Sequence, residues 1–212
     1  MNVRLYVEGG GDKLGDNRCR EGFRKLLERA GYAGRMPSIV AGGGRNQAFD
    51  MFRTAHLSPI QDKYCILLID SEDVLLSQNT DEFPNSPHAW NHVREREKAW
   101  SIPLQVENDQ CQLMVSCMET WILADRETLA AVFGTNLNQS AFPALDDLER
   151  RDHELVQQAL EDATRPCGID RMYRKGRRSY LVLAALNPDR LRTCLPHFRR
   201  FMATLDSRLT NQ

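Results

Sequence analysis

The sequence predicts an α/β fold, with a mainly parallel sheet flanked by helices and a helical C-terminal extension. Short, continuous apolar runs rich in Val, Ile, Leu and Tyr recur along the first half of the chain, and runs of this length suit strands buried on both faces. Segments with apolar residues at helical spacing separate them. Strands that alternate with helices imply parallel neighbours joined by crossovers.

The first strand spans about residues 3–8 and runs into Glu8, three glycines and Asp12, the stretch EGGGD. A loop over 9–17 leads to a helix over 18–30, where Phe23, Leu26, Leu27 and Ala30 share a face and Gly31 provides a stop. A short strand at 37–40 ends in Ala41 and Gly42, Gly43 and Gly44. Arg45 then opens a helix to His56, with Ala48, Phe49, Phe52 and Ala55 at helical spacing. Asp62 and Lys63 make a turn before YCILLI at 64–69, the most apolar run and the expected central strand. It ends in Asp70, Ser71, Glu72 and Asp73.

Residues 77–88 are polar and carry Pro84 and Pro87, which reads as a surface loop and puts His88 and His92 on the surface. Residues 89–100 read as a charged short helix or an irregular cover. A fourth strand at 112–118 is closed by Glu119, and a helix follows over 120–133. Beyond Gly134 the spacing predicts a charged amphipathic helix at 145–163, a basic stretch at 165–178, a short helix at 179–186, a turn from Pro188 and a terminal helix at 196–209. The expected division is a core over residues 1–130, with an insert at about 73–110, and a helical region over 131–212 packed at the sheet edge.

The 212 residues are 42% apolar and 27% charged, as in a soluble globular protein. A net charge of −1 requires any nucleic-acid surface to be a local patch. The six cysteines form no C-x-x-C pair and read as reduced thiols. No apolar run reaches the ~18 residues of a membrane span, and the N-terminal stretch lacks the pattern of a signal peptide. A cytoplasmic protein is expected.

Chemistry collects at the carboxyl ends of parallel strands. Glu8, Asp12, Asp70 and Glu72 fall at two such ends. Clustered carboxylates repel one another unless a cation neutralises them, and an all-oxygen set suits Mg²⁺ or Mn²⁺. The plain alternative makes Glu8 a loop acid and Asp12 a helix-start acid, worth ~0.3–1 kcal/mol beside the positive end of the dipole. Glu119 is a further ligand candidate if strand 4 lies beside strand 3; the plain reading makes it a helix-start acid. Gly42 to Gly44 with Arg45 form either a plain turn or a phosphate-facing loop. Residues 165–178 hold six basic residues, including Arg171, Arg174, Lys175, Arg177 and Arg178, against the single acid Asp170. Such a patch suits a nucleic-acid backbone or, on the plain reading, a solvated loop facing the acidic helix. Lys175 is also placed to steady charge at the acidic site.

Glu8 with its glycines after the first strand, and Asp70-Ser71-Glu72 after a central apolar strand, resemble the Toprim fold. EGGGD, with a second acid four residues on, is closest to the version found in OLD-type nucleases. The segments MVSCMETWILAD (114–125) and MYRKGRRSYLVLAAL (172–186) resemble an uncharacterised Toprim-related family that often accompanies phage-defence genes. This resemblance implies Mg²⁺- or Mn²⁺-dependent phosphodiester chemistry on DNA or RNA, with Glu8 as the family glutamate and Asp70 as the first acid of D-x-D. Glu72 stands where that pattern has Asp. An ATPase partner and an antiviral setting are implied by the same analogy. The expected function is therefore a metal-dependent nuclease. The alternatives are a catalytically weak binding or regulatory module and a small phosphoester hydrolase on the same acids.

Overall fold

The structure, a computed structural model, describes residues 2–58, 63–75 and 87–209. Its elements in chain order are β1 (Asn2–Val7), α1 (Lys13–Leu27), β2 (Ser38–Ala41), α2 (Arg45–His56), β3 (Lys63–Asp70), α3 (His88–Arg96), β4 (Cys111–Met114), α4 (Met118–Ala124), α5 (Arg126–Phe133), α6 (His153–Thr164), α7 (Arg177–Leu183), α8 (Pro188–Cys194) and α9 (Pro196–Leu209). The described strands form a single sheet in the order β2-β1-β3-β4, with every pairing parallel. In its register Val7 lies opposite Leu68, and Asp70 opposite Met114.

Side chains alternate across the sheet with period two, and both layers are apolar. Val3, Leu5, Val7, Ile66 and Leu68 face one core with α1 and the C-terminal helices. Tyr6, Cys65, Leu67, Ile69 and Leu113 face a second core with α2 and α3. Trp121 on α4 centres the first layer, edge-on to Phe23 of α1 and to Phe198 of α9. That apolar cluster runs from Val3 to Leu209, so the C-terminal helices share it with the sheet. All six cysteines are unpaired thiols. Among the described residues, no helix is long and apolar enough to cross a membrane.

Several elements depart from the sequence reading. α1 begins at Lys13, before the expected residue 18, because the Asp12 carboxylate accepts the Gly15 N–H at 2.6 Å and caps the first turn. The helix expected over 120–133 is two, broken at the buried Asp125. Asp125 caps α5 through the Thr128 N–H and also accepts the Asn187 N–H, tying the junction to the start of α8. The expected helix over 145–163 begins regular structure as α6 only after Asp152, which accepts the Glu154 N–H. The fourth strand stops at Met114, and the remainder of 112–118 turns into α4. His88 and His92 lie on helix α3, not on a surface loop; His88 is buried with Trp90 and Val93 against the second core. Asp62 and most of the loop placed at 77–88 lie outside the described residues.

α9 covers β4 at the sheet edge, and the contact is polar at its centre. Arg200 is fully buried. Its Nη1 donates to the Cys111 carbonyl at 2.8 Å and to Gln112 Oε1 at 3.0 Å, and its Nη2 donates to the Asn108 carbonyl at 2.9 Å. Gln112 in turn reaches Thr204 Oγ1 at 2.9 Å. Removing a buried donor leaves acceptors desolvated, at about 1–3 kcal/mol each. Arg200→Leu is expected to lower stability in urea by about 2–3 kcal/mol, even after the relief of no longer burying a guanidinium. An unchanged denaturation midpoint contradicts this role.

Candidate metal centre

The parallel pairing of β1 and β3 brings their carboxyl ends side by side. Glu8 follows β1; its N–H donates to the Leu68 carbonyl at 2.9 Å, and its side chain accepts the Asp70 N–H at 3.1 Å. Asp70 ends β3 and is buried, and its Oδ1 accepts the Met118 N–H at 2.8 Å. Glu72 follows with φ 65°, the left-handed region that non-glycine residues rarely adopt. One carboxylate oxygen from each of Glu8, Asp70 and Glu72 lies within 4.8 Å of the others.

The protein holds these acids against their own repulsion. Burial raises the Glu8 carboxyl above its ordinary range, an effect that Arg45 offsets only in part. Burial raises Asp70 further, and the nearby Glu8 and Glu119 add to the rise. Burial alone would lower the Lys175 ammonium, but Glu119 and Asp70 outweigh it and hold the amine charged. Arg45 lies 3.6 Å from Glu8 and 2.6 Å from Glu97, hydrogen-bonds the Asp70 carbonyl, and stands over the Trp100 ring. Its buried Nη2 has no hydrogen-bond partner. Arg45 is therefore turned into the acidic cluster.

Glu119 is fully buried on α4. Its Oε1 accepts from the Tyr173 hydroxyl at 2.8 Å, while its buried Oε2 has no partner. It lies in the field of Asp70 and Lys175 but outside the group of three acids. Asp12 is likewise outside that group, exposed, and engaged as the α1 cap. Asp73 pairs with Arg96.

The glycine loops after β1 and β2 are stitched together. Gly9 donates to the Gly43 carbonyl at 2.8 Å, and Gly43 donates back at 2.9 Å. The Gly10 N–H donates to the Tyr180 hydroxyl at 2.8 Å. Gly9 has φ 144°, and a Cβ on it would sit 2.6 Å from that hydroxyl, so the site requires glycine there. The C-terminal region thus reaches the end of β1 through Tyr180.

The basic stretch divides. Arg171 donates to the Val132 carbonyl at 3.2 Å, and Arg178 donates to the Asp170 carbonyl and stands over Phe133, so both brace the segment against the end of α5. Arg174 is exposed. Lys175 interacts with the acids. Arg177 opens α7, with its side chain outside the described set. Sequence reasoning does not find Glu97, Tyr173, Tyr180, His92 or His153 as site neighbours. They act through hydroxyl, backbone or guanidinium contacts across long separations, and no spacing rule marks such contacts.

The donor set fits a hard divalent cation. It is all oxygen, two of its carboxylates are raised by confinement, and a neighbouring buried carboxylate keeps an oxygen unpaired. The nearby Cys117 thiol is pushed well up by burial. A family model described as a domain of unknown function (DUF4276) matches residues 7–206. No curated protein and no solved structure matches the chain.

A carboxylate whose folded-state pKa is raised costs stability when ionised, and the cost grows as pH rises toward that pKa. Asp70→Asn removes the charge and keeps an oxygen for the Met118 N–H. In metal-free buffer at neutral pH it is expected to raise the melting temperature by ~2–4 °C, which is about 1 kcal/mol for a chain of this size. If Mn²⁺ stabilises the wild type through this centre, the same variant should lose that stabilisation. Scanning calorimetry with and without Mn²⁺ reads both effects.

Proposed function

We propose that this chain, which belongs to the DUF4276 family, is a Toprim-like, Mg²⁺- or Mn²⁺-dependent phosphodiesterase acting on nucleic acid. One observation carries the reading: oxygens of Glu8, Asp70 and Glu72, delivered by two parallel strand ends, lie within 4.8 Å of one another. Glu8, Asp70 and Glu72 would hold the cation, with Glu119 beside them. A divalent ion held there supplies positive charge to phosphoryl oxygens and lowers the pKa of water. Arg45, with a buried and unpaired Nη2, orients a phosphate oxygen next to Glu8. Lys175, kept charged by the acids, stabilises negative charge that develops on the phosphoryl group. Arg174, with Arg171 and Arg178 on the same segment, gives the backbone of DNA or RNA a cationic track.

The family resemblance extends this proposal to an effector in antiviral defence, working in the cytoplasm beside an ATPase partner. A second reading, a binding module for nucleic acid or a protein, is favoured by one contact: Arg45 already neutralises Glu8 at 3.6 Å, as a resident cation would.

Plasmid, single-stranded DNA and RNA incubated with Mn²⁺ or Mg²⁺ separate the readings. Cleavage is expected from the wild type, with losses of roughly 100-fold or more in Glu8→Gln and Asp70→Asn. Cleavage retained by Glu8→Gln indicates a contaminant. Binding without cleavage under any metal favours the module. Because protons compete with the cation for the raised carboxyls of Glu8 and Asp70, Mn²⁺ affinity should fall as pH drops through their raised range. Binding within that range should also release protons. Calorimetric titration in buffers of different ionisation enthalpy measures that release, and a pH-independent affinity with no release counts against the site.

A further inference from the structure

We propose that His92 and His153 are positioning residues that lock the acid-bearing segment, residues 70–72, in the conformation that presents Asp70 and Glu72 together. β3 ends at Asp70, yet the backbone beyond it is as fully bonded as a strand interior. The Asp70 N–H is taken by Glu8, and its carbonyl accepts from Arg45. The Ser71 N–H donates to the Met114 carbonyl at 3.0 Å, and the Glu72 N–H donates to the Ser116 carbonyl at 2.8 Å. That leaves the carbonyls of Ser71 and Glu72 without a strand to receive. His92 Nε2 lies 2.9 Å from the Ser71 oxygen, and His153 Nδ1 lies 2.9 Å from the Glu72 oxygen.

A carbonyl oxygen only accepts, so each imidazole donates. His92 therefore presents an N–H at Nε2 and His153 an N–H at Nδ1, so the loop is held by different ring nitrogens from its two sides. The clamp has something to resist. Glu72 sits at φ 65°, and a non-glycine residue there relaxes toward the extended region unless its surroundings over-determine it. That relaxation rotates the Glu72 carbonyl away from His153 and swings the carboxylate out of the acidic group. The two histidines arrive from opposite directions in the chain, one on α3 within the insert and one at the start of α6 in the C-terminal region. They give both accessory regions a direct task at the site. The effect on cation binding rests on the metal-centre reading; the hold on the loop does not.

The test pairs loss with rescue. In His92→Gln the side-chain amide nitrogen takes the place of Nε2, and in His153→Asn it takes the place of Nδ1. The alanine variants remove the donor. Hydrogen exchange of the Ser71 and Glu72 amides, measured without metal, reads the loop directly, and Mn²⁺ titration reads the site. Both alanine variants are expected to stay folded, to exchange these two amides faster, and to bind Mn²⁺ 10- to 100-fold more weakly. Gln at 92 and Asn at 153 should restore most of both signals. Unchanged exchange in folded alanine variants overturns the proposal. So does faster exchange with undiminished Mn²⁺ affinity, or amide variants as impaired as alanine. If the wild type takes up no Mn²⁺, the metal-centre reading falls and exchange alone decides: faster exchange with amide rescue upholds the clamp, and unchanged exchange removes it.

Discussion

The parallel pairing of β1 with β3 is the constraint on which the rest of the structure depends. It sets Val7 opposite Leu68 and lets the Glu8 carboxylate accept the Asp70 N–H. A slip of one residue exchanges the two faces of a strand. Here both faces of β3 are apolar and buried, so the apolar pattern tolerates a slip better than a one-sided sheet would. The polar groups do not. A slipped β3 would carry Asp70 away from Glu8 and from the Met118 N–H, leaving a buried carboxylate without its donors. The acids are therefore part of what specifies the register that brings them together.

That arrangement is costly in isolation. Burial and mutual repulsion raise Asp70, and the chain answers with Arg45 on one side and Lys175 on the other. The offset is incomplete, as the unpaired Oε2 of Glu119 and Nη2 of Arg45 indicate. Buried polar atoms with open valences and a non-glycine residue at positive φ are features that folding alone does not favour. Arg45, Glu119 and Glu72 bring three such features to the acidic end of the sheet, and further ones lie at Arg4, Trp121, Arg126, Arg151 and Asp147.

The regions outside the βα core belong to the same device. α3 contributes Trp90 and Val93 to the second core and His92 to the acid-bearing loop. The C-terminal region contributes Tyr173 to Glu119, Tyr180 to Gly10 and Arg200 to β4. The C-terminal helices share the first apolar cluster with the sheet, and α3 shares the second. Removing either region would expose core and loosen the site together.

Local chemistry made much of this legible in the linear chain. Buried strands announce themselves as short apolar runs, and α2 and α9 begin at Arg45 and Pro196 as helical spacing requires. The likeness of the two strand ends, each apolar and then acidic, marked Glu8, Asp70 and Glu72 before any geometry was known, because a parallel sheet sends equivalent ends to one place. Side-chain caps were harder to read. Asp12 and Asp125 carry the same charge as the site acids, and only the neighbouring N–H groups assign them to helix ends. The chain alone determined the sheet and its acidic end, since periodicity and strand polarity are local properties. Only the tertiary structure decided which acids share a centre, which cations face them, and which histidines hold their loop, because those contacts join residues far apart in the chain, with no pattern in the sequence to announce them.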